Sequence, residues 1–170
     1  RRQVVNPNPL ILEAASLAML GAGEQIVSRF DLADDVLVSV DPIQIQQVVI
    51  NLIRNAVEAV TDAPKREISV STRAVDGVVE IRVDDSGHGI APGMMDSLFD
   101  SFASSKPDGM GVGLSISRTI VESHEGKLSA ANREAGGASF CVALPLAGRA
   151  PARSSQDIAM DGVESRRAPF

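Results

Sequence analysis

From Ile45 to Val60 the apolar residues Ile45, Val48, Val49, Leu52, Ala56 and Val60 fall three and four apart, the spacing of a helix with one face against a core. Asp41-Pro42 supplies its start. On the other side Gln44, Gln47, Asn51, Asn55 and Glu58 form a stripe of amides ending in a carboxylate. An earlier helix begins at Asn8-Pro9 and carries Leu10, Leu12, Ala15, Leu17 and Met19 to Gly21. A third runs from Gly111 to His124 through Leu114, Ile116, Ile120 and Val121. Alternating runs mark the strands. Residues 1–8 suit an edge strand, and "QIVSRFDLA" and "VLVSVD" are two short strands around a turn at Asp34-Asp35. "EISVSTRAV" and "VVEIRVDD" flank Asp76-Gly77, the strongest hairpin signal in the chain. "GKLSAAN" and "ASFCVALPL" follow, separated by Glu134 to Gly137. This order predicts an α+β fold, a two-layer sandwich with a mainly antiparallel sheet and helices on one face.

The pattern lapses from Asp84 to about Gly111, and a long irregular segment inside a compact domain is usually functional or disordered. It lapses again from Gly148, where Pro, Ser, Arg and Asp accumulate, so residues 1–147 read as the domain and 148–170 as a flexible tail. At 170 residues and 44% apolar, the chain has the size and composition of a single globular unit. Sixteen basic against 22 acidic side chains, net charge -6, disfavour a nucleic-acid binder. The lone Cys141 sits in an apolar run and cannot form an internal disulfide, which fits a reducing, cytoplasmic setting. No apolar stretch approaches bilayer length and none follows Arg1-Arg2 as in a signal peptide, so the chain is expected to be soluble and without membrane contact.

Three features bear on chemistry. Asn51 and Asn55, one turn apart, offer hard amide oxygens compatible with Mg²⁺, although a solvated helix face explains the stripe equally well. Asp85-Ser-Gly87-His-Gly89 ends a strand. A carboxylate there can accept an exocyclic N–H, and glycines let a flat ligand approach the backbone; an ordinary turn is the competing reading. Gly109-Met-Gly111-Val-Gly113 leads into the third helix, where backbone N–H groups and the helix dipole suit phosphate oxygens. The spacing matches neither a P-loop nor a Rossmann fingerprint.

Taken in order, "NLIRNAVEA", "DDSGHGI", "LFDSFASSK" and "GMGVGLSIS" resemble the N, G1, F and G2 boxes of the ATP-binding domain of sensor histidine kinases, over about residues 40–146. "NAVEA" and "GMGVGLSIS" are most similar to the branch with nitrogen-regulation and oxygen-sensing kinases. The resemblance implies the Bergerat ATP-binding fold, shared with gyrase, Hsp90 and MutL ATPases, and ATP with Mg²⁺ as ligands. It implies Asn55 as the metal ligand, Asn51 as a nearby phosphate or metal contact, and Asp85 on the adenine amino group. Gly87 and Gly89 would allow close approach, and Gly109, Gly111, Val112, Gly113 and Leu114 would line the phosphate side. Ser139 in "GGASFCVALPL" would lie where a small hydroxyl often sits near the adenine. The irregular segment would hold the adenine-recognition strand end followed by an ATP lid, anchored at its near end by Phe99 and Phe102 and at its far end by Gly109 to Gly113, with Lys106 lending charge to the phosphates. Arg54 and Glu58 depart from kinases with a basic residue shortly after the second asparagine, leaving phosphate charge to Arg54 or Lys106.

Such a kinase also needs a phosphoacceptor histidine on a dimerising helical hairpin. The chain has only His88, inside the G1-like loop, and His124, whose place at a helix C-terminus suits the dipole. Neither sits in an acceptor-like sequence. The resemblance therefore implies the catalytic half of a protein-histidine kinase, working with a separate dimerisation and phosphoacceptor domain and a response-regulator receiver domain. A nucleotide-binding regulatory module without transferase activity, or a serine kinase of the anti-sigma-factor type, are the alternatives on the same fold.

Overall fold

The computed structural model describes residues 1–23, 25–100 and 110–149, the side chains of 110–112 excepted. Its elements are β1 (Gln3–Val5), α1 (Pro7–Ala18), β2 (Val27–Leu32), β3 (Val36–Val40), α2 (Pro42–Thr61), β4 (Glu67–Val75), β5 (Val78–Asp85), α3 (Met110–Ser123), β6 (Lys127–Asn132) and β7 (Ala138–Arg149). The seven strands form one sheet in the order β1-β3-β7-β5-β4-β2, with β6 paired to β7 beyond the end of β3. The β2–β4 pair is parallel and the other pairs are antiparallel. Val79, Ile81 and Val83 of β5 and Phe140, Val142 and Leu144 of β7 meet Val48, Val49, Leu52 and Ile53 of α2 in one core. The fold is the expected α+β sandwich, with a mixed, mainly antiparallel sheet.

Local chemistry sets the boundaries. The carboxylate of Asp41 accepts from the N–H groups of Ile43 (3.1 Å) and Gln44 (3.3 Å), with Pro42 at the first helical position, so α2 starts where predicted. Every apolar residue assigned to its inner face is buried. For α1 the start moves to the preceding Asn-Pro pair, because Asn6 accepts from the N–H of Asn8 (2.9 Å) and Pro7 opens the helix. Pro9 then lies in the first turn, whose N–H groups have no intrahelical acceptor to lose. The inner face of α1 also differs from the expected one. Pro7, Ile11, Ala14, Ala15 and Ala18 are buried, whereas Leu12 and Leu17 are exposed. Small alanines let the axis of α1 approach α2, and the large leucines are left outside.

The Asp76-Gly77 hairpin forms as read, both residues having positive φ (50° and 78°) as a tight hairpin turn requires. Asp34-Asp35 is a turn but not a hairpin: β2 lies at one edge of the sheet against β4, while β3 pairs with β1 and β7 near the other. Beyond Leu146, β7 continues through Gly148 and Arg149, which pair with Leu37 and Val36 of β3. The ordered strand thus passes residue 147.

Candidate functional site

At the end of β5, Asp85 is 2% exposed. Its carboxylate Oδ1 accepts from the N–H of Gly87 (2.9 Å) and from the N–H of Ala138 at the start of β7 (3.2 Å). Burial pushes the carboxyl above the ordinary aspartate range, opposed by those two N–H donors and by the nearby charges of His88 and Arg133. A carboxylate taken out of water and held by one oxygen is placed to recognise a donor with the rest of its acceptor capacity.

Two glycines beside it have reasons within the protein. A Cβ on Gly87 would stand 2.3 Å from the carbonyl oxygen of Ala59, so this residue lets the loop press on the last turns of α2. A Cβ on Gly137 would stand 1.9 Å from the carbonyl oxygen of Asp85, and Gly137 has φ +87°. Gly89 packs against Asn132 of β6. Gly87 and Gly89 thus each have a close neighbour within the protein.

The amide stripe of α2 divides. Asn51 accepts from Gln47 Nε2 (3.0 Å) through Oδ1 and donates to the Ser117 hydroxyl (3.2 Å) through Nδ2, which ties α2 to α3. Asn55, one turn on, is half-buried, and among the described residues nothing hydrogen-bonds its amide. Its oxygen is the kind of donor Mg²⁺ takes, so Asn55 fits a metal role better than Asn51 does. Arg54 is exposed on the same helix.

The structure begins α3 at Met110, so Gly111 and Gly113 lie in its first turn rather than ahead of it. The N–H groups of a helix's first turn lack intrahelical acceptors, which makes a helix start a suitable place for an anion. Gly113 stands against Asn51, at 3.9 Å from its amide to a Cβ position, so the helix start and the amide stripe are adjacent. Leu114 is 6% exposed and belongs to the core. Val112 lies in the same first turn. Phe99 packs against the core; Phe102, Lys106 and Gly109 lie outside the described residues.

Ser139 is not brought to Asp85. It pairs with Asp84, and its hydroxyl accepts from Arg82 Nη1 (3.2 Å) on the opposite face of the sheet. Side chains alternate along a strand, so the contact from β7 to Asp85 comes from the backbone of Ala138, one residue earlier. His124 is 3% exposed. Its Nδ1 donates to the carbonyl of Ile120 (2.7 Å) and its Nε2 accepts from the N–H of Asp41 (3.0 Å). The ring therefore bridges the end of α3 to the cap of α2. His88 is exposed, with Nδ1 2.7 Å from the carbonyl of Gly89.

Asn132 and Arg133 escaped the sequence reading. Arg133 Nη1 donates to the backbone carbonyl of Asp85 (2.7 Å), and the side chain of Asn132 engages both the N–H (2.7 Å) and the carbonyl (2.9 Å) of Ile90. In the sequence they end a strand before a turn and carry no periodic signal.

A buried carboxylate at a strand end, an amide stripe on the facing helix and a helix start beside it define a nucleotide-binding class of α+β sandwich. The family "Histidine kinase-, DNA gyrase B-, and HSP90-like ATPase" matches residues 40–148, and the chain belongs to it. The chain is 45% identical over 151 residues to the sensor protein FixL of Bradyrhizobium diazoefficiens, covering 86% of this chain and 30% of that protein. It is 41% identical over 141 residues to the C4-dicarboxylate transport sensor protein DctS of Rhodobacter capsulatus, covering 81% of this chain and 22% of that one. The chain thus spans less than a third of these curated relatives. Among solved structures, the nucleotide-free catalytic domain of histidine kinase ThkA is 32% identical with a TM-score of 0.74, covering 85% of this chain and 95% of that one. Full-length ShkA in complex with AMPPNP is 26% identical with a TM-score of 0.76, covering 89% of this chain and 33% of that one. Among the described residues no helix is long and apolar enough to cross a membrane.

Proposed function

We propose that this chain is the ATP-binding catalytic domain of a sensor histidine kinase of a two-component system, delivering the γ-phosphoryl of Mg-ATP to a histidine on a separate dimerisation and phosphoacceptor domain. The observation that carries the reading is Asp85: buried at 2% exposure and fixed through Oδ1 by Gly87 and Ala138, in a chain of this ATPase family whose helix α2 carries Asn51 and Asn55. The match to nearly the whole ThkA catalytic domain supports a catalytic unit of the same extent.

In this proposal Asp85 accepts the adenine amino group. Asn55 holds Mg²⁺, which when bound neutralises charge on the terminal phosphates. Asn51 fixes the distance from α2 to α3 through Ser117, and the first-turn N–H groups of α3, at Gly111 and Gly113, receive phosphate oxygens. Arg54 or Lys106 adds positive charge. Catalysis is then mostly positioning and charge neutralisation, as phosphoryl transfer requires. The partners are the phosphoacceptor domain and a response-regulator receiver domain, and the setting is the cytoplasm.

Titration calorimetry with ATP and GTP, each with Mg²⁺, tests the binding step. ATP binding with GTP rejected supports the reading, and no binding of either removes it.

A further inference from the structure

The β6–β7 turn grips the loop that follows β5 at both of its ends. At the first end, the ladder between β5 and β7 finishes at the Asp84–Ser139 pair, and Arg133 supplies the next donor by placing Nη1 2.7 Å from the Asp85 carbonyl. The same nitrogen lies 3.4 Å from the Gly136 carbonyl, while the backbone N–H of Arg133 donates to Gly137 (2.9 Å), so the guanidinium and the turn brace each other. At the second end, Asn132 receives the Ile90 N–H on Oδ1 and donates Nδ2 to the Ile90 carbonyl, pairing with Ile90 much as a neighbouring strand would. Between these two holds lie Asp85 and Gly87 to Gly89, the segment that faces the base in the proposed function.

We propose that Arg133 and Asn132 are positioning residues for base recognition: they fix the Asp85–Ile90 loop so that the Asp85 carboxylate meets the exocyclic amino group of adenine and rejects bases without one. The inference rests on the adenine role of Asp85. Its physical basis is geometric. A hydrogen bond weakens steeply as its angle falls, and a recognition group must be held within about 0.5 Å of its productive place. Asp85 is the last residue of its strand and has only its β4 neighbour, Ile68, in register. On the β4 side the next residue, Ser86, is held by the Glu67 backbone (3.0 and 2.8 Å); on the β7 side, where the ladder has ended, the support comes from Ala138 and the β6–β7 turn. Core packing does not depend on either side chain, because Asn132 is exposed and Arg133 half-buried.

The test compares affinities for ATP and for purine riboside triphosphate, which lacks the 6-amino group, in the parent chain and in Arg133→Met, Arg133→Lys, Asn132→Ala and Asp85→Asn, with melting temperatures alongside. Arg133→Met should lose roughly tenfold in ATP affinity, the scale of one charge-assisted hydrogen bond, and much less for the analogue, so the discrimination ratio collapses. Arg133→Lys should recover part of the ratio, and Asn132→Ala should lower it while the melting temperature changes little. A ratio unchanged in both Arg133→Met and Asn132→Ala, or equal losses for the two nucleotides, would overturn the positioning role. Asp85→Asn separates the two readings. If it abolishes discrimination while the turn variants keep it, only the positioning inference fails; if it too keeps discrimination, the adenine assignment of Asp85 fails with it.

Discussion

The side-chain amide of Asn51 on α2 donates to the hydroxyl of Ser117 on α3 across 3.2 Å, and Ser117 is fully buried. One hydrogen bond thus joins the helix that carries Asn55 to the helix whose first turn receives the phosphates in the proposed function. At the other end of the same helix pair, His124 accepts from the N–H of Asp41. The two bonds hold α2 and α3 as a single frame.

A double-mutant cycle of Asn51→Ala and Ser117→Ala should therefore show coupling of about 0.5–1.5 kcal/mol in urea unfolding, since each single change leaves the other partner with a buried polar atom to satisfy. Strictly additive losses would mean that the pair does not act as a tie.

Asp85 makes a pH-dependent prediction. Burial raises its folded-state pKa above the unfolded value. The folded state then binds the proton more tightly, so the group's favourable contribution is present below the unfolded pKa and is lost as pH rises through the folded one. At neutral pH the ionised carboxylate is a net cost to the fold. Asp85→Asn keeps an acceptor for the Gly87 and Ala138 N–H groups and removes the charge, so it should be at least as stable as the parent at pH 7, with that advantage fading in acid. Its ATP affinity should fall by about 1.5–3 kcal/mol, because a charge-assisted bond is replaced by facing donors. Denaturation at the two pH values and calorimetry check both halves; a variant that is strongly destabilised at pH 7 contradicts the account.

Asn55→Ala should reduce ATP affinity in the presence of Mg²⁺ and leave binding in EDTA nearly unchanged. Comparing the two titrations isolates the metal contribution, and an unaltered response to Mg²⁺ would remove Asn55 from the site.

Gly87→Ala should destabilise the chain by roughly 1–3 kcal/mol or more, since the added methyl meets backbone atoms of Ala59 that cannot swing aside as a side chain can. Normal stability would show that the loop yields freely from α2.

Much of this was legible in the chain. The inner face of α2 was visible because six apolar residues keep one helical spacing, and the β4–β5 hairpin because Asp76-Gly77 takes a turn that few other pairs accept. The face of α1 was not, because leucine outranks alanine in hydrophobicity, yet close helix packing selected the alanines. The pairing of β2 with β4 was hidden because a parallel partner lies far along the sequence. Asp85 could be picked out by its glycines and its strand, whereas Ser139 falls on the other face of the strand alternation, against Arg82. Arg133 and Asn132 act through backbone atoms of Asp85 and Ile90, and a contact to backbone leaves no complementary residue type to notice.

The most direct test of the central claim is phosphoryl transfer itself: the chain is incubated with γ-labelled Mg-ATP, alone and with a helical phosphoacceptor domain added as a separate polypeptide, and the labelled residue is mapped. His124 is buried and bonded at both ring nitrogens, His88 has Nδ1 on the Gly89 carbonyl in the loop assigned to the base rather than to the phosphates, and transfer needs the attacking nitrogen roughly in line and about 3–3.5 Å from phosphorus, so the chain alone should remain almost unlabelled. With the second domain present, acid-labile phosphate should accumulate on that domain's histidine. Stoichiometric labelling of His88 or His124 in the chain alone, or acid-stable phosphoserine as the product, would contradict the account.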